Sequence, residues 1–261
     1  MITSAQNPKL KLIRTLQGRP KGRHEHGVFV VDGVRLIEEA LQAGWPFRFV
    51  LTSESLNERG QVLTAQLNAK GVDVEPVLEQ LMKSISEMKT PQGVLAVLEQ
   101  QILPLPARLD FALILDSIHD PGNMGTLIRT AAAAGVQAVF LSPETTDAFA
   151  PKVVRSGMGA HFRLPVLSLS WDEIKKSTND LHIFLADMNG EIPCWQADLR
   201  KPLALIIGGE AQGVTAQANR LADQTIKIPM PGEVESLNAG VAGSILMFEV
   251  VRQRELLSRG R

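Results

Sequence analysis

The chain has 261 residues, 44% of them hydrophobic, a single cysteine and a net charge of -1. That length suits two modest domains or one large one, and the near-neutral charge excludes a global basic field. One cysteine excludes an internal disulfide framework and suits a reducing compartment, here the cytoplasm. The start is no signal peptide, and no apolar run approaches the ~20 residues of a membrane span.

Charge is nevertheless uneven. Residues 1–24 carry Lys9, Lys11, Arg14, Arg19, Lys21 and Arg23 without an acid, and Arg252, Arg254, Arg259 and Arg261 crowd the far end. A local basic arm on a neutral chain suits a polyanion, and a solvated terminus explains it equally well. Helical spacing opens at 9–16, and His24 and His26 read as loop residues. A strand at 28–31, a turn at Gly33 and a helix at 34–43 follow. Strands at 47–51, 72–77 and 93–98 then alternate with helices at 63–69 and 78–84. Leu103-Pro104-Leu105-Pro106 reads as an extended linker.

Beyond the linker the alternation is more regular. Strands are predicted at 111–115, 138–141, 163–166, 182–186, 203–207 and 225–228. Helices are predicted at 124–134, 152–157, 171–177, 216–221 and 239–255. Such alternation implies a parallel sheet covered on both faces. The five histidines have no metal-ligand spacing, so no metal site is expected. Neither the phosphate-loop motif nor the dinucleotide G-x-G-x-x-G is present.

Three segments carry candidate chemistry. In Asp120-Pro121-Gly122-Asn123-Met124-Gly125, Asn123 sits at a helix start, where it caps the helix or serves a site. Arg129 follows within an apolar, Ala-rich helix and either snorkels to solvent or points at a phosphate. In Ile207-Gly208-Gly209-Glu210, a buried strand ends in two glycines and a carboxylate. Glu210 there holds a ribose hydroxyl or an ammonium, or caps the next turn. In Ile228-Pro229-Met230-Pro231-Gly232-Glu233-Val234-Glu235-Ser236-Leu237-Asn238, a stiff loop leads into the last helix with Ser236 as a natural cap. Ala239, Gly240, Ala242 and Gly243 then allow close backbone approach, within one chain or between two.

In this order the three segments resemble the signature motifs of the SpoU (TrmH) family of SPOUT RNA methyltransferases, from about residue 111 to 255. Thr3-Ser4, Asn7-Pro8, Val31-Asp32-Gly33-Val34-Arg35-Leu36, Glu38-Glu39-Ala40-Leu41 and Lys89-Thr90-Pro91-Gln92-Gly93-Val94 resemble the substrate-binding domain of its ribosomal-RNA members. The resemblance implies an α/β fold: a smaller N-terminal α/β RNA-binding domain (1–103), a linker (104–109) and a parallel-sheet SPOUT domain (110–261) with a deep trefoil knot. It implies S-adenosylmethionine bound by Gly208, Gly209, Ile228, Met230 and Leu237. It further implies methylation of a ribose 2′-hydroxyl in RNA by a homodimer whose sites use both chains.

Arg129 is then the central catalytic residue, with Asn123, Glu210, Ser236 and Asn238 orienting it and the ribose. A guanidinium stays protonated in water, so gripping the phosphate and stabilising the developing alkoxide suits it better than acting as base. Lys11, Arg14 and Arg35 are the first candidates for RNA contact. Ribosomal RNA is the favoured substrate; tRNA methylation and a non-catalytic RNA-binding factor are the alternatives. Ala239-Gly240 departs from the family's usual Val-Ser and removes a hydroxyl that would firm the helix start. Asp32-Gly33 replaces the usual Glu-Gly. Tyrosine is absent, so base stacking falls to Phe, Trp or Arg.

Overall fold

The computed structural model of the chain describes residues 1–209, 213–232 and 234–259. The first half runs α1 (Pro8–Gln17), α2 (Pro20–His26), β1 (Val28–Asp32), α3 (Val34–Gln42), β2 (Phe47–Thr52), α4 (Glu58–Ala69), β3 (Val74–Pro76), α5 (Glu79–Ile85) and β4 (Val94–Glu99). The second continues with β5 (Phe111–Asp116), α6 (Pro121–Ala133), β6 (Ala138–Leu141), α7 (Pro151–Gly157), a 3-10 turn (Ala160–Phe162), β7 (Val166–Ser168), α8 (Trp171–Ser177) and β8 (His182–Ala186). It closes with β9 (Ile192–Pro193), β10 (Leu203–Gly208), α9 (Ala216–Leu221), β11 (Gln224–Lys227) and α10 (Ala239–Arg259). No helix among the described residues is long and apolar enough to cross a membrane.

The contacts divide the chain into two compact units, 1–101 with 149–162, and 102–148 with 163–261. In the first, a mixed four-stranded sheet runs β1-β4-β2-β3, with β4 antiparallel to both neighbours. α1 buries Leu10, Ile13 and Leu16 against it, and Asn7 caps α1 by accepting from the Lys9 N–H at 2.8 Å. His24 and His26, read as loop residues, lie in α2 instead. Pro20 opens that helix at a position where its missing N–H costs nothing, and Gly22 lets it pack on Thr15.

Not all of the basic arm is available to a ligand. Arg23 is buried, and its guanidinium donates to the Leu16 and Gly18 carbonyls (3.1 Å to Gly18), which closes the end of α1. Lys9 is paired with Asp73 at 2.5 Å and Glu75 at 3.0 Å. Two of the segments that resemble the substrate-binding domain, 31–36 and 89–94, meet in space. Gly33 takes φ 104°, a conformation that favours glycine, and the Gln92 side chain accepts from the Val34 N–H at 2.8 Å to cap α3.

Segment 149–162 completes this unit. Phe149 and Phe162 pack on Phe29, with ring centroids 4.9 and 6.5 Å away, and Phe162 lies 5.2 Å from Trp45.

The second unit holds a seven-stranded, wholly parallel sheet in the order β7-β6-β5-β10-β8-β11-β9. Its central strands are buried on both faces, which is why 111–115 and 203–207 read as continuous apolar runs. The strand expected at 163–166 lies at 166–168, because pairing of Val139 with Val166 sets its register beside β6.

At the C-terminal end of the sheet, Asp116 closes β5 with a fully buried carboxylate. Its Oδ1 accepts from the Ser142 hydroxyl at 2.8 Å and its Oδ2 from the Thr215 N–H at 2.6 Å. Ser117 follows at φ 54°, and its carbonyl leaves no room for a Cβ on Gly209. Asp116→Ala strips both donors of their acceptor and is expected to cost about 2–4 kcal/mol, measured by urea unfolding. A loss below about 0.5 kcal/mol would contradict this account of the sheet's end.

Candidate active site

The ends of β8, β10 and β11, with residues 236–239 and the start of α10, enclose a cavity of about 630 Å³ in the second unit. This is where ligands bind in open α/β sheets. Gly208, Gly209, Ile228, Met230 and Leu237, the five residues expected at a cofactor, all line it. A Cβ on Gly208 would collide with Val214, so glycine there lets Val214 pack on the strand end. Asp187, Met188 and Asn189 line the cavity too and were missed in the sequence. The available signal was a polar turn directly after an apolar strand.

The proposed catalytic residues come together in part. The Asn238 Nδ2 donates to Asn123 Oδ1 at 3.0 Å across 115 residues of chain, and Ser236 and Asn238 line the cavity. Both capping expectations change. The cap of α6 is Asp120, whose carboxylate accepts from the Asn123 N–H at 2.8 Å; Asn123 sits inside the first turn, so its side chain is released to meet Asn238. At α10 the cap is Asn238 rather than Ser236: its Oδ1 accepts from the Val241 N–H at 3.2 Å. The expectation of a loosened helix start at Gly240 therefore meets a side chain that already secures that start.

Arg129 is exposed on α6, outside the cavity lining, and makes no hydrogen bond or ion pair among the described residues. Glu210 lies outside the described residues.

The small face of α10 is used within the chain. A Cβ on Gly243 would collide with Leu127 of α6, and one on Gly240 would lie 3.4 Å from Asn123 Oδ1. These glycines thus explain the close α6–α10 contact and are no argument for a second chain. A different stripe of α10, Val241, Ile245 and Phe248, is exposed by 47, 38 and 49%. Cys194 is buried, and burial pushes its thiol above the usual range, as suits a packing residue rather than a nucleophile.

In the first unit Lys11, Arg14 and Arg35 are all exposed. Arg14 donates to the Ala5 carbonyl at 2.9 Å, while Lys11 and Arg35 have no side-chain partner among the described residues.

Comparison with known proteins agrees with this geometry. The model of the SpoU rRNA Methylase family matches residues 110–248, and that of the MRM3-like substrate binding domain matches residues 7–96. The 23S rRNA (guanosine(2553)-2′-O)-methyltransferase RlmP of Bacillus subtilis is 32% identical, over 95% of this chain and 98% of its own. The 23S rRNA (uridine(2479)-2′-O)-methyltransferase of Streptomyces viridochromogenes is 31% identical, over 97% of this chain and 92% of its own. The crystal structure of an AdoMet-bound rRNA methyltransferase from Sinorhizobium meliloti superposes with a TM-score of 0.85 at 31% identity, covering 96% of this chain and 97% of that one. With its second and third signature segments lining one cavity at the sheet's C-terminal end, and the first bonded to the third through Asn123 and Asn238, the chain belongs to the SpoU rRNA methylase family.

Proposed function

We propose that the chain transfers a methyl group from S-adenosylmethionine to a ribose 2′-hydroxyl of ribosomal RNA. The observation that carries this reading is the convergence of five expected cofactor residues on one cavity, where the lining residue Asn238 is also bonded to Asn123. The cavity suits the cofactor chemically. Ile207, Ile226 and Leu246 supply apolar wall for a flat base, and Asp187, Asn189 and Ser236 supply polar groups for a ribose and a charged tail.

S-adenosylmethionine, when bound, supplies an already activated methyl on its sulfonium. The protein's task is alignment and charge stabilisation. Asn238, held by Asn123 and by its own capping bond, and Ser236 orient the ribose. Arg129 grips the target phosphate and stabilises the alkoxide that develops at the 2′-oxygen. Glu210 assists in orienting them. The 2′-hydroxyl also makes the substrate RNA rather than DNA.

The N-terminal domain (1–103) docks the substrate through Lys11, Arg14 and Arg35, joined by the linker 104–109 to the methyltransferase domain (110–261). The match of a substrate-binding family model to residues 7–96 supports this. A trefoil knot fits the chain order: β10 lies between β5 and β8, and after the outlying β11 the chain returns as α10 to pack on α6 and β10. Knots are rare in proteins, so only the family resemblance suggests one in advance. The exposed stripe Val241, Ile245 and Phe248 supports a homodimer whose sites are completed by both chains. An RNA substrate and a lone cysteine fit the cytoplasm as compartment.

Arg129→Ala is expected to bind S-adenosylmethionine as the wild type does by calorimetry, yet to lose methyl incorporation into ribosomal RNA by about 100-fold or more. Wild-type activity in this variant would sink the assignment. Phe248→Glu should turn a dimer into a monomer on light scattering, and an unchanged mass would refute the stripe as the interface. Lys11→Ala with Arg14→Ala should flatten the log–log salt dependence of RNA binding by about 2, one per lost phosphate contact. An unaltered slope places the RNA elsewhere.

A further inference from the structure

Asp187 is the one acidic or basic side chain among the described residues that line the cavity. It directly follows β8, and its backbone is fixed on both sides. Its N–H donates to the Ile226 carbonyl at 3.0 Å, and its own carbonyl accepts from the Gly190 N–H at 3.0 Å. The turn packs directly on β11, where a Cβ on Gly190 would lie 2.6 Å from the Ile226 carbonyl carbon. The side chain is held as well: Oδ1 accepts from the Asn189 N–H at 2.7 Å. Oδ2 has no hydrogen bond or ion pair among the described residues.

The result is a rigid, half-buried carboxylate with one oxygen free, at the C-terminal end of a parallel strand and on the wall of a largely apolar cavity. A carboxylate in that place, its orientation set before any ligand arrives, matches a vicinal diol well: hydroxyl donors satisfy the free oxygen without displacing the turn that holds the other. The apolar wall formed by Ile207, Ile226 and Leu246 leaves the base to be bound by contact alone, so a polar group has to fix which way the nucleoside faces. We propose that Asp187 accepts hydrogen bonds from the ribose hydroxyls of the cofactor and so sets the orientation of the nucleoside in the cavity. This assignment rests on the cofactor reading above. It adds a charged side-chain contact to the glycines and apolar residues that the family resemblance places at the cofactor.

The rival role for a lone carboxylate is to pair with the ammonium or sulfonium of the cofactor, and ligand chemistry separates the two. S-adenosylmethionine has the diol, the ammonium and the sulfonium. S-adenosylhomocysteine has the diol and the ammonium. 5′-Methylthioadenosine has the diol and neither charge. Calorimetry of the full chain with all three, wild type against Asp187→Ala, is the experiment. The diol contact predicts a loss of affinity of about 10- to 100-fold, equal within error for the three ligands, as for a lost bond to a charged acceptor. Losses confined to the two ligands that carry an ammonium, or to S-adenosylmethionine, would overturn it, as would no loss at all.

If Asp187→Ala unfolds, Asp187→Asn takes its place, because the amide oxygen still accepts from Asn189 and preserves the turn. The same uniform pattern, at smaller amplitude, is then expected, and a charge-dependent pattern or none again overturns the assignment. A wild-type protein that binds none of the three would instead overturn the cofactor reading itself, and this proposal with it.

Discussion

The buried carboxylate of Asp116 is the group on which the end of the parallel sheet depends. A carboxylate removed from water is costly unless its oxygens are met by donors. Here the donors come from two separate stretches of chain, the Ser142 hydroxyl after β6 and the Thr215 amide at the start of α9. One side chain therefore ties the ends of three segments together. The tie leaves the backbone after β5 in a left-handed step at Ser117, with its carbonyl pressed against Gly209. The place of Gly209 on the cavity wall is thus set by the step at Ser117 and by the absence of a side chain at the end of β10.

The second constraint is the seam between α6 and α10. Gly240 and Gly243 let the helices approach until Asn123 and Asn238 bond and Thr130 meets Ser244, with their hydroxyl oxygens 3.1 Å apart. The seam places the first and third signature segments beside each other although they lie far apart in sequence. It also explains why a chain of small residues is required on α10 without appeal to a partner. The exposed apolar stripe falls on other positions of the same helix, so one helix can serve the internal seam and an external contact with different residues.

Much of this was legible in the sequence. The central strands are apolar throughout because both their faces are covered, and the glycine pair after 207 and the proline-rich loop after 228 mark the places where strands stop and ligands enter. Elements that depend on tertiary pairing were not legible. The two-residue strand β9 exists only because Ile192 pairs with Ile226, and β7 begins where Val139 finds Val166. α2 carries charged and histidine side chains with little apolar period, so its helicity rests on Pro20 at its start and on packing against Thr15. At the site, local propensity offers Asn123 and Ser236 as caps beside their expected place among the catalytic residues. The bonds formed by Asp120 and Asn238 decide the caps otherwise. Asp187 went unseen because nothing in its own stretch distinguishes a turn that faces solvent from one that faces a cavity.

Segment 149–162 bears on how this architecture can be taken apart. Its aromatic rings belong to the core that surrounds Phe29 and Trp45, while its position in the chain falls between two strands of the other sheet. Chimeras between relatives that exchange everything before the proline-rich linker would therefore graft one half-core onto a foreign complement. A workable swap has to carry this detached piece along with residues 1–101, so the natural module boundary is drawn in space and is interrupted along the gene.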